Sequence, residues 1–174
     1  MKLEKYGVVL NRLTYDKIEM VRNWRNDQKI AKYMEFRDYI TPEMQEKWFQ
    51  KIDNDNNFFF IIEFEGKEIG LINIKDIDYE QKTGEGGIFI YDDTYLNSDV
   101  SFRASLCLSD FFFETLNLER VIAHIFWNNK RAIQYNIMLG FELQPNQENI
   151  ENQLYYLEKE NHFKQRKFIS RLFN

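Results

Sequence analysis

Glu85-Gly-Gly-Ile-Phe-Ile-Tyr91, then Asp99-Val-Ser-Phe-Arg-Ala-Ser-Leu-Cys-Leu-Ser-Asp-Phe-Phe-Phe-Glu-Thr-Leu116, then Val121-Ile-Ala-His-Ile-Phe126 is the stretch on which the architecture turns. Gly86–Tyr91 and Val121–Phe126 are short, apolar and strand-like. Between them, Val100, Ala104, Cys107 and Phe111 fall on one helical line, with Leu108 and Phe112 beside it. A helix linking two strands favours a parallel pair with a right-handed crossover.

Toward the C-terminus, Lys130–Leu139 reads as a helix stopped by Gly140. Leu154–Glu158 is a late strand, and Phe163, Phe168, Ile169, Leu172 and Phe173 imply a terminal helix or docked tail. Toward the N-terminus, Phe58–Phe64 and Ile69–Ile77 are β-rich runs joined at Glu65-Gly66-Lys67, a hairpin signal. Thr41-Pro42-Glu43 opens a helix with proline in its first turn, and Met44, Trp48 and Ile52 supply its apolar stripe. Gln28–Met34 reads as helical. Val8–Leu13 reads as a strand, followed from Thr14 or Asp16 by a helix carrying Ile18, Val21 and Trp24. The expected fold is α+β (mixed α/β): a central, mostly antiparallel sheet with one parallel strand pair and flanking helices. No repeat, low-complexity tract or Pro/Gly/Ser linker divides the chain, so one domain over residues 1–174 is expected.

Of the 174 residues, 44% are hydrophobic, enough for a sizeable core, and sixteen are phenylalanine. A formal charge of -5 argues against broad binding to nucleic acid or to an anionic membrane. Cys107 is the single cysteine, so no disulfide forms within the chain, and its apolar helical setting marks a buried, inert thiol. His124 and His162 lack metal-site spacing, so no metal is expected. The longest apolar run, Phe58–Ile62, is too short to span a bilayer, and the opening residues lack a secretory core. A cytoplasmic location is expected.

Asn129-Lys-Arg-Ala132-Ile133-Gln-Tyr-Asn-Ile-Met-Leu139-Gly140-Phe141 resembles the closing segment N-x-x-A-I-x-x-x-x-x-L-G-F of the GNAT acetyltransferases. Glu85-Gly-Gly-Ile-Phe-Ile90 resembles the glutamate-led central strand of their ribosomal-protein and amino-sugar branches. Val21-Arg22-Asn23-Trp24-Arg25-Asn26 is similar to the first helical region of the same branches. The resemblance runs from about residue 8 to 160. It implies an acetyl-CoA-dependent N-acetyltransferase acting on a primary amine, first of all a small molecule such as a nucleotide-linked amino sugar. A protein N-terminus is the next choice. The family's phosphate turn, R/Q-x-x-G-x-G/A, is not reproduced. Tyr95-Leu-Asn-Ser-Asp-Val-Ser-Phe-Arg103 stands there, and none of the seven glycines falls between residues 88 and 139. A non-catalytic binding or scaffold protein with a degenerate fold is therefore the rival reading.

By the same resemblance, Asn97, Ser98, Val100 and Ser101 form the cofactor turn. Asn97 tolerates left-handed geometry, and the serines are small enough for close approach. Asp99 either competes with phosphate or, like Ser98, caps the helix. A backbone N–H among Phe89, Ile90 and Tyr91 is the expected oxyanion donor. Glu85 is the expected general base, acting through water, or else a solvated strand-end glutamate; desolvation there would move a carboxylate toward a useful range. Asn136 occupies the place where relatives carry the tyrosine that protonates the leaving thiolate. An amide donates a hydrogen bond but no proton, and Tyr135 sits one residue, about 100°, away. Asn129 is expected on the pantetheine arm, as a helix N-cap, or both. Arg22 and Arg25 share a helix face, either as an anion site for substrate or as a solvated, salt-bridged pair. His124 reads as a satisfied sheet residue. Lys164, Arg166, Lys167 and Arg171 read as the outer face of a terminal helix. Exposed aromatics leave a homodimer face open.

Overall fold

The computed structural model describes residues 1–173; Asn174, the last residue of the expected domain, lies outside the described residues. The chain opens with an antiparallel hairpin, β1 (Lys2–Lys5) and β2 (Val8–Arg12), turned by Tyr6 and Gly7, both at positive φ. A 3-10 turn (Tyr15–Lys17) leads into α1 (Ile18–Asn26), which buries Ile18, Val21 and Trp24. The expected helix over Gln28–Met34 is a single turn, α2 (Gln28–Ala31). Thr41 caps α3 (Pro42–Ile52) by accepting the Met44 N–H at 3.3 Å. Of the expected stripe of α3, Trp48 and Ile52 are partly buried against the core around Phe49, whereas Met44 is exposed, and Gln45 and Phe49 are the buried positions.

Next come β3 (Phe58–Phe64), β4 (Lys67–Asp78) and β5 (Thr83–Ile90), antiparallel neighbours in that order. Glu65 and Gly66, both at positive φ, make the two-residue turn between β3 and β4. A further 3-10 turn (Asp93–Tyr95) precedes α4 (Val100–Asp110), which ends in a π-helical turn over Phe111–Thr115. The chain continues through β6 (Arg120–Phe126), α5 (Lys130–Leu139), β7 (Glu142–Leu143), β8 (Asn152–Glu158) and α6 (Lys159–Ile169). Gly140 ends α5 in the left-handed conformation at φ 98°, where a side chain would be strained.

All eight strands form one sheet in the order β1-β2-β3-β4-β5-β6-β8-β7. Every pair is antiparallel except β5–β6, as expected for two strands joined through α4. Side chains on successive strand residues leave by opposite faces. One face carries Ile72, Ile74, Ile90 and Val121 into a core shared with Ala104, Phe112, Leu139 and Ile169. The other carries Phe59, Ile61 and Leu71 against Val21, Trp24 and Phe49. Cys107 lies in the first core, where burial pushes its thiol up to about 11.

Among the described residues no helix is long and apolar enough to cross a membrane.

Candidate active site

The parallel pairing of β5 and β6 is brief. Thr83, Gly84 and Glu85 pair with Arg120, Val121 and Ile122, and there the ladder stops. Beyond Glu85, β5 stays with β4 as far as Ile90, while β6 stays with β8 as far as Phe126. The two central strands therefore part, and a cleft of about 890 Å³ opens between them.

The alternation of strand backbone decides what faces that cleft. Tyr91 donates its N–H to the Ile69 carbonyl at 2.7 Å, so the odd-numbered residues of β5 turn their backbone groups toward β4. Ile88 and Ile90 turn theirs the opposite way, into the gap, past the last paired residue of β6. Of the expected donors Phe89, Ile90 and Tyr91, only Ile90 has its N–H free for a ligand. Phe89 and Tyr91 instead present side chains beside Trp24, which stacks on Tyr91 with ring centroids 5.3 Å apart.

The turn before α4 forms one wall. Residues 96–101 contain no positive φ, so nothing in this backbone requires glycine. Asn97 does not use the left-handed geometry expected of it. Ser98 accepts the Val100 N–H at 3.3 Å and donates to the Tyr95 carbonyl at 2.8 Å. The first bond within the helix runs from the Arg103 N–H to the Asp99 carbonyl. The amides of Ser101 and Phe102 thus lie ahead of the ladder. Asn97, Ser98 and Ser101 line the cleft. Val100 does not; its side chain is wholly buried in the core. Asp99 neither plugs the cleft nor caps the helix with its side chain. Its carboxylate turns to Arg103 at 2.8 Å, and Arg103 also holds the Tyr6 carbonyl at 2.9 Å.

The opposite wall is α5. Asn129 caps it, accepting the Ala132 N–H at 3.2 Å, and also lines the cleft. Asn136 donates its side-chain N–H to the Ala132 carbonyl at 2.8 Å, within its own helix. Tyr135 lies 2.5 Å from Ser105 Oγ and donates to the Ser101 carbonyl at 2.9 Å, tying the two walls together. Burial pushes its phenol well above the usual range, against those two hydrogen bonds.

A family model described as an acetyltransferase (GNAT) domain matches residues 8–142. The chain belongs to the GNAT acetyltransferase family. It is 23% identical over 140 residues to a spermidine N(1)-acetyltransferase of Escherichia coli, covering 80% of this chain and 75% of that one. The structure of a Vibrio cholerae spermidine N-acetyltransferase, in complex with CoA and spermine, superposes with a TM-score of 0.78 at 21% identity, over 90% of this chain and 98% of that one. Apo FdhC, a nucleotide-linked sugar GNAT, superposes with a TM-score of 0.83 at 17% identity, over 100% of this chain and 99% of the other.

GNAT enzymes take the acyl group from acetyl-CoA, which is the co-substrate here. The cleft suits it. Free strand N–H groups at Ile88 and Ile90 face the gap, and unpaired amides open α4. Arg131 reaches across the mouth, its guanidinium 3.5 Å from Asn97 Oδ1. The scaffold alternative rested on the glycine-free turn, Asp99 and Asn136; the turn's geometry removes the first two, Asn136 is bonded within its own helix, and the family match supports the enzyme.

On the far face of the sheet, Glu85 is mostly buried. Its carboxylate lies 3.1 Å from the Lys75 ammonium and 3.6 Å from His124 Nδ1. Arg25 lines the same cleft, stacked 4.8 Å over Trp48 and donating to Gln45 Oε1 at 3.1 Å. Burial pulls its guanidinium below the usual arginine range. Arg22 does not join it. Its guanidinium is spent on Glu19 at 2.5 Å and on the Ile40 carbonyl at 2.8 Å, away from the cleft. Sequence reasoning did not single out Lys75, Arg131 or the approach of His124 to Glu85. The two basic side chains carried no motif, and His124 depends on the register of a parallel pair.

Asn129→Ala should cost about 1 kcal/mol through loss of the cap. For a chain of this length that is a fall in Tm of about 2–4 °C by calorimetry. An unchanged Tm would mean that water replaces the cap.

Proposed function

We propose that this enzyme moves the acetyl group of acetyl-CoA to the primary amine of a small molecule that also carries an anionic group, with a nucleotide-linked amino sugar the favoured acceptor. One domain handles both substrates. The observation that carries this reading is Arg25: a largely buried guanidinium on the cleft wall with no carboxylate partner among the described residues. A buried cation without a counter-charge is costly, and a phosphate or carboxylate of a ligand supplies one. Its stacking on Trp48 fixes the plane of the fork, which suits bidentate contact.

A polyamine acceptor is the second reading, favoured by the spermidine acetyltransferase of Escherichia coli. A polyamine needs free carboxylates. Two of the acids on the cleft wall are paired with cations, Glu85 with Lys75 at 3.1 Å and Asp93 with Lys29 at 3.2 Å. That leaves Glu35, bonded to the neutral Asn152 amide at 3.0 Å, as a single carboxylate for a multiply charged polyamine.

Thiol release from acetyl-CoA, measured across nucleotide-linked amino sugars, spermidine, spermine and N-terminal peptides, tests the choice. Turnover is expected on the nucleotide-linked sugars. Preference for a polyamine at neutral pH would sink the reading. Arg25→Met should raise KM for the anionic acceptor about tenfold, the loss of one hydrogen bond to a charged group. The affinity for acetyl-CoA should not change in that variant.

A further inference from the structure

We infer that His124 is the group that accepts the proton of the attacking amine, and that Glu85 is its positioning residue. The inference rests on the N-acetyl transfer proposed above and adds the proton carrier to it. Glu85 stands at the last paired position of β5, and His124 follows two residues after its partner Ile122 on β6. The two side chains thus meet where the strands begin to part, and both line the cleft. The His124 side chain is 38% exposed, enough to reach a bound acceptor, whereas that of Glu85 is 26% exposed.

The chemistry of the pair separates the roles. The Glu85 carboxylate is already held in an ion pair with the Lys75 ammonium at 3.1 Å, on the side away from His124 Nε2. An imidazole is the side chain that ordinarily titrates near neutrality, where a general base works best. Nδ1 is the ring nitrogen directed at Glu85, at 3.6 Å, which leaves Nε2 as the one available to the amine. At 3.6 Å the carboxylate is not hydrogen-bonded to the ring but places a negative charge beside it, where the imidazolium forms when the proton is taken. Lys75 of β4 lies behind Glu85, with Asp76 3.8 Å beyond it. The β8 residue opposite is the apolar Leu154. Glu35, on the same cleft wall, accepts from the Asn152 amide at 3.0 Å.

In the step itself the amine nitrogen forms a bond to the thioester carbon and the C–S bond breaks. Its electron pair goes to sulfur, which departs as the CoA thiolate. The proton shed by nitrogen goes to Nε2 of His124 and from there to solvent.

The test uses the whole protein, acetyl-CoA and the best amine of the thiol-release panel, with kcat and KM followed from pH 5.5 to 9.5. Wild type is expected to lose activity on the acid side of that range, as the base takes up its proton. His124→Gln should lower kcat about 100-fold and abolish that limb, since a positioned base contributes at least about that factor. Its calorimetric Kd for acetyl-CoA should stay within about twofold of wild type, which certifies the fold. Glu85→Gln should keep the limb and reduce kcat less than His124→Gln does, because the base itself is still present. A His124→Gln enzyme with the wild-type limb and kcat within threefold overturns the assignment while leaving the transferase reading intact. Loss of the limb in Glu85→Gln but not in His124→Gln returns the base to Glu85. A wild-type protein that binds acetyl-CoA yet acetylates no amine overturns both.

Discussion

Asp110→Ala is expected to lower Tm by about 10 °C. Asp110 sits at the end of α4 with a side chain only 4% exposed, and it is the hub of a polar cluster. One oxygen takes Tyr6 Oη at 2.7 Å and the Lys5 ammonium. The other takes His162 Nε2 and Arg166 Nη1, each at 2.8 Å. The carboxylate thereby joins the β1–β2 hairpin, α4 and α6. Alanine leaves the buried His162 ring and part of the Arg166 guanidinium without their acceptor, though Glu114 still pairs with Arg166 at 2.5 Å. Stranding the partners of a buried ion costs about 3–5 kcal/mol; about 3 kcal/mol is expected where the Lys5 end is half exposed. At about 2–4 °C per kcal/mol for a chain of this size, the fall is near 10 °C. A shift under 2 °C would show that the cluster adds nothing net.

The same carboxylate sets how acid unfolds the protein. Burial opposes its ionisation, but hydrogen bonds from His162, Lys5, Tyr6 and Arg166 outweigh that and hold it well below the usual carboxylate range. A depressed folded-state pKa contributes stability that is complete above the unfolded value and disappears as pH falls toward the folded one. The contribution is therefore intact at pH 6 and shrinks only below about pH 4. Denaturation midpoints of wild type and Asp110→Ala should converge there, and parallel curves down to pH 2 would contradict this assignment.

What was legible in the sequence divides along physical lines. The crossover helix, the parallel pair and the Glu65-Gly66 hairpin were readable because apolar period and turn chemistry state them locally. The Tyr6-Gly7 hairpin uses the same chemistry but was passed over, because β1 is largely exposed and shows no alternation. In α3 the apolar stripe was half right: Trp48 and Ile52 pack on the core, but Met44 is exposed and Gln45 takes a buried place. Gln45 is buried because its amide donates to the Ile18 carbonyl at 3.0 Å and accepts from Arg25. No hydropathy pattern marks such a residue. Arg166 was read as outer face for the same reason: its partner, Asp110, lies 56 positions away. Arg22 and Arg25 looked equivalent three residues apart, yet Glu19 and the Ile40 carbonyl capture only the first. Glycine-free sequence at the cofactor turn resembled damage, because motif chemistry stands in for φ angles that only coordinates reveal.

Ser101→Glu should weaken acetyl-CoA binding about 100-fold, close to 2.7 kcal/mol, without lowering stability. Ser101 lies in the first turn of α4, on the cleft wall, with its amide ahead of the helical ladder. A carboxylate there is welcome to the helix dipole by about 0.3–1 kcal/mol, so Tm should hold or rise slightly. The same charge would repel a diphosphate placed against those amides. At about 4 Å and an effective dielectric near 20 the repulsion reaches about 4 kcal/mol, more than enough for the predicted loss. Salt should shrink the penalty, since the mouth of the cleft is open to solvent. Asp99→Asn is the control that separates position from charge. Asp99 is turned toward Arg103 at 2.8 Å and lies off the cleft wall, so its neutralisation should change affinity less than about threefold. Calorimetry on the two variants decides between them. Unchanged affinity in Ser101→Glu would place the diphosphate elsewhere, and a large gain in Asp99→Asn would mean that this acid, not the helix opening, governs the anion.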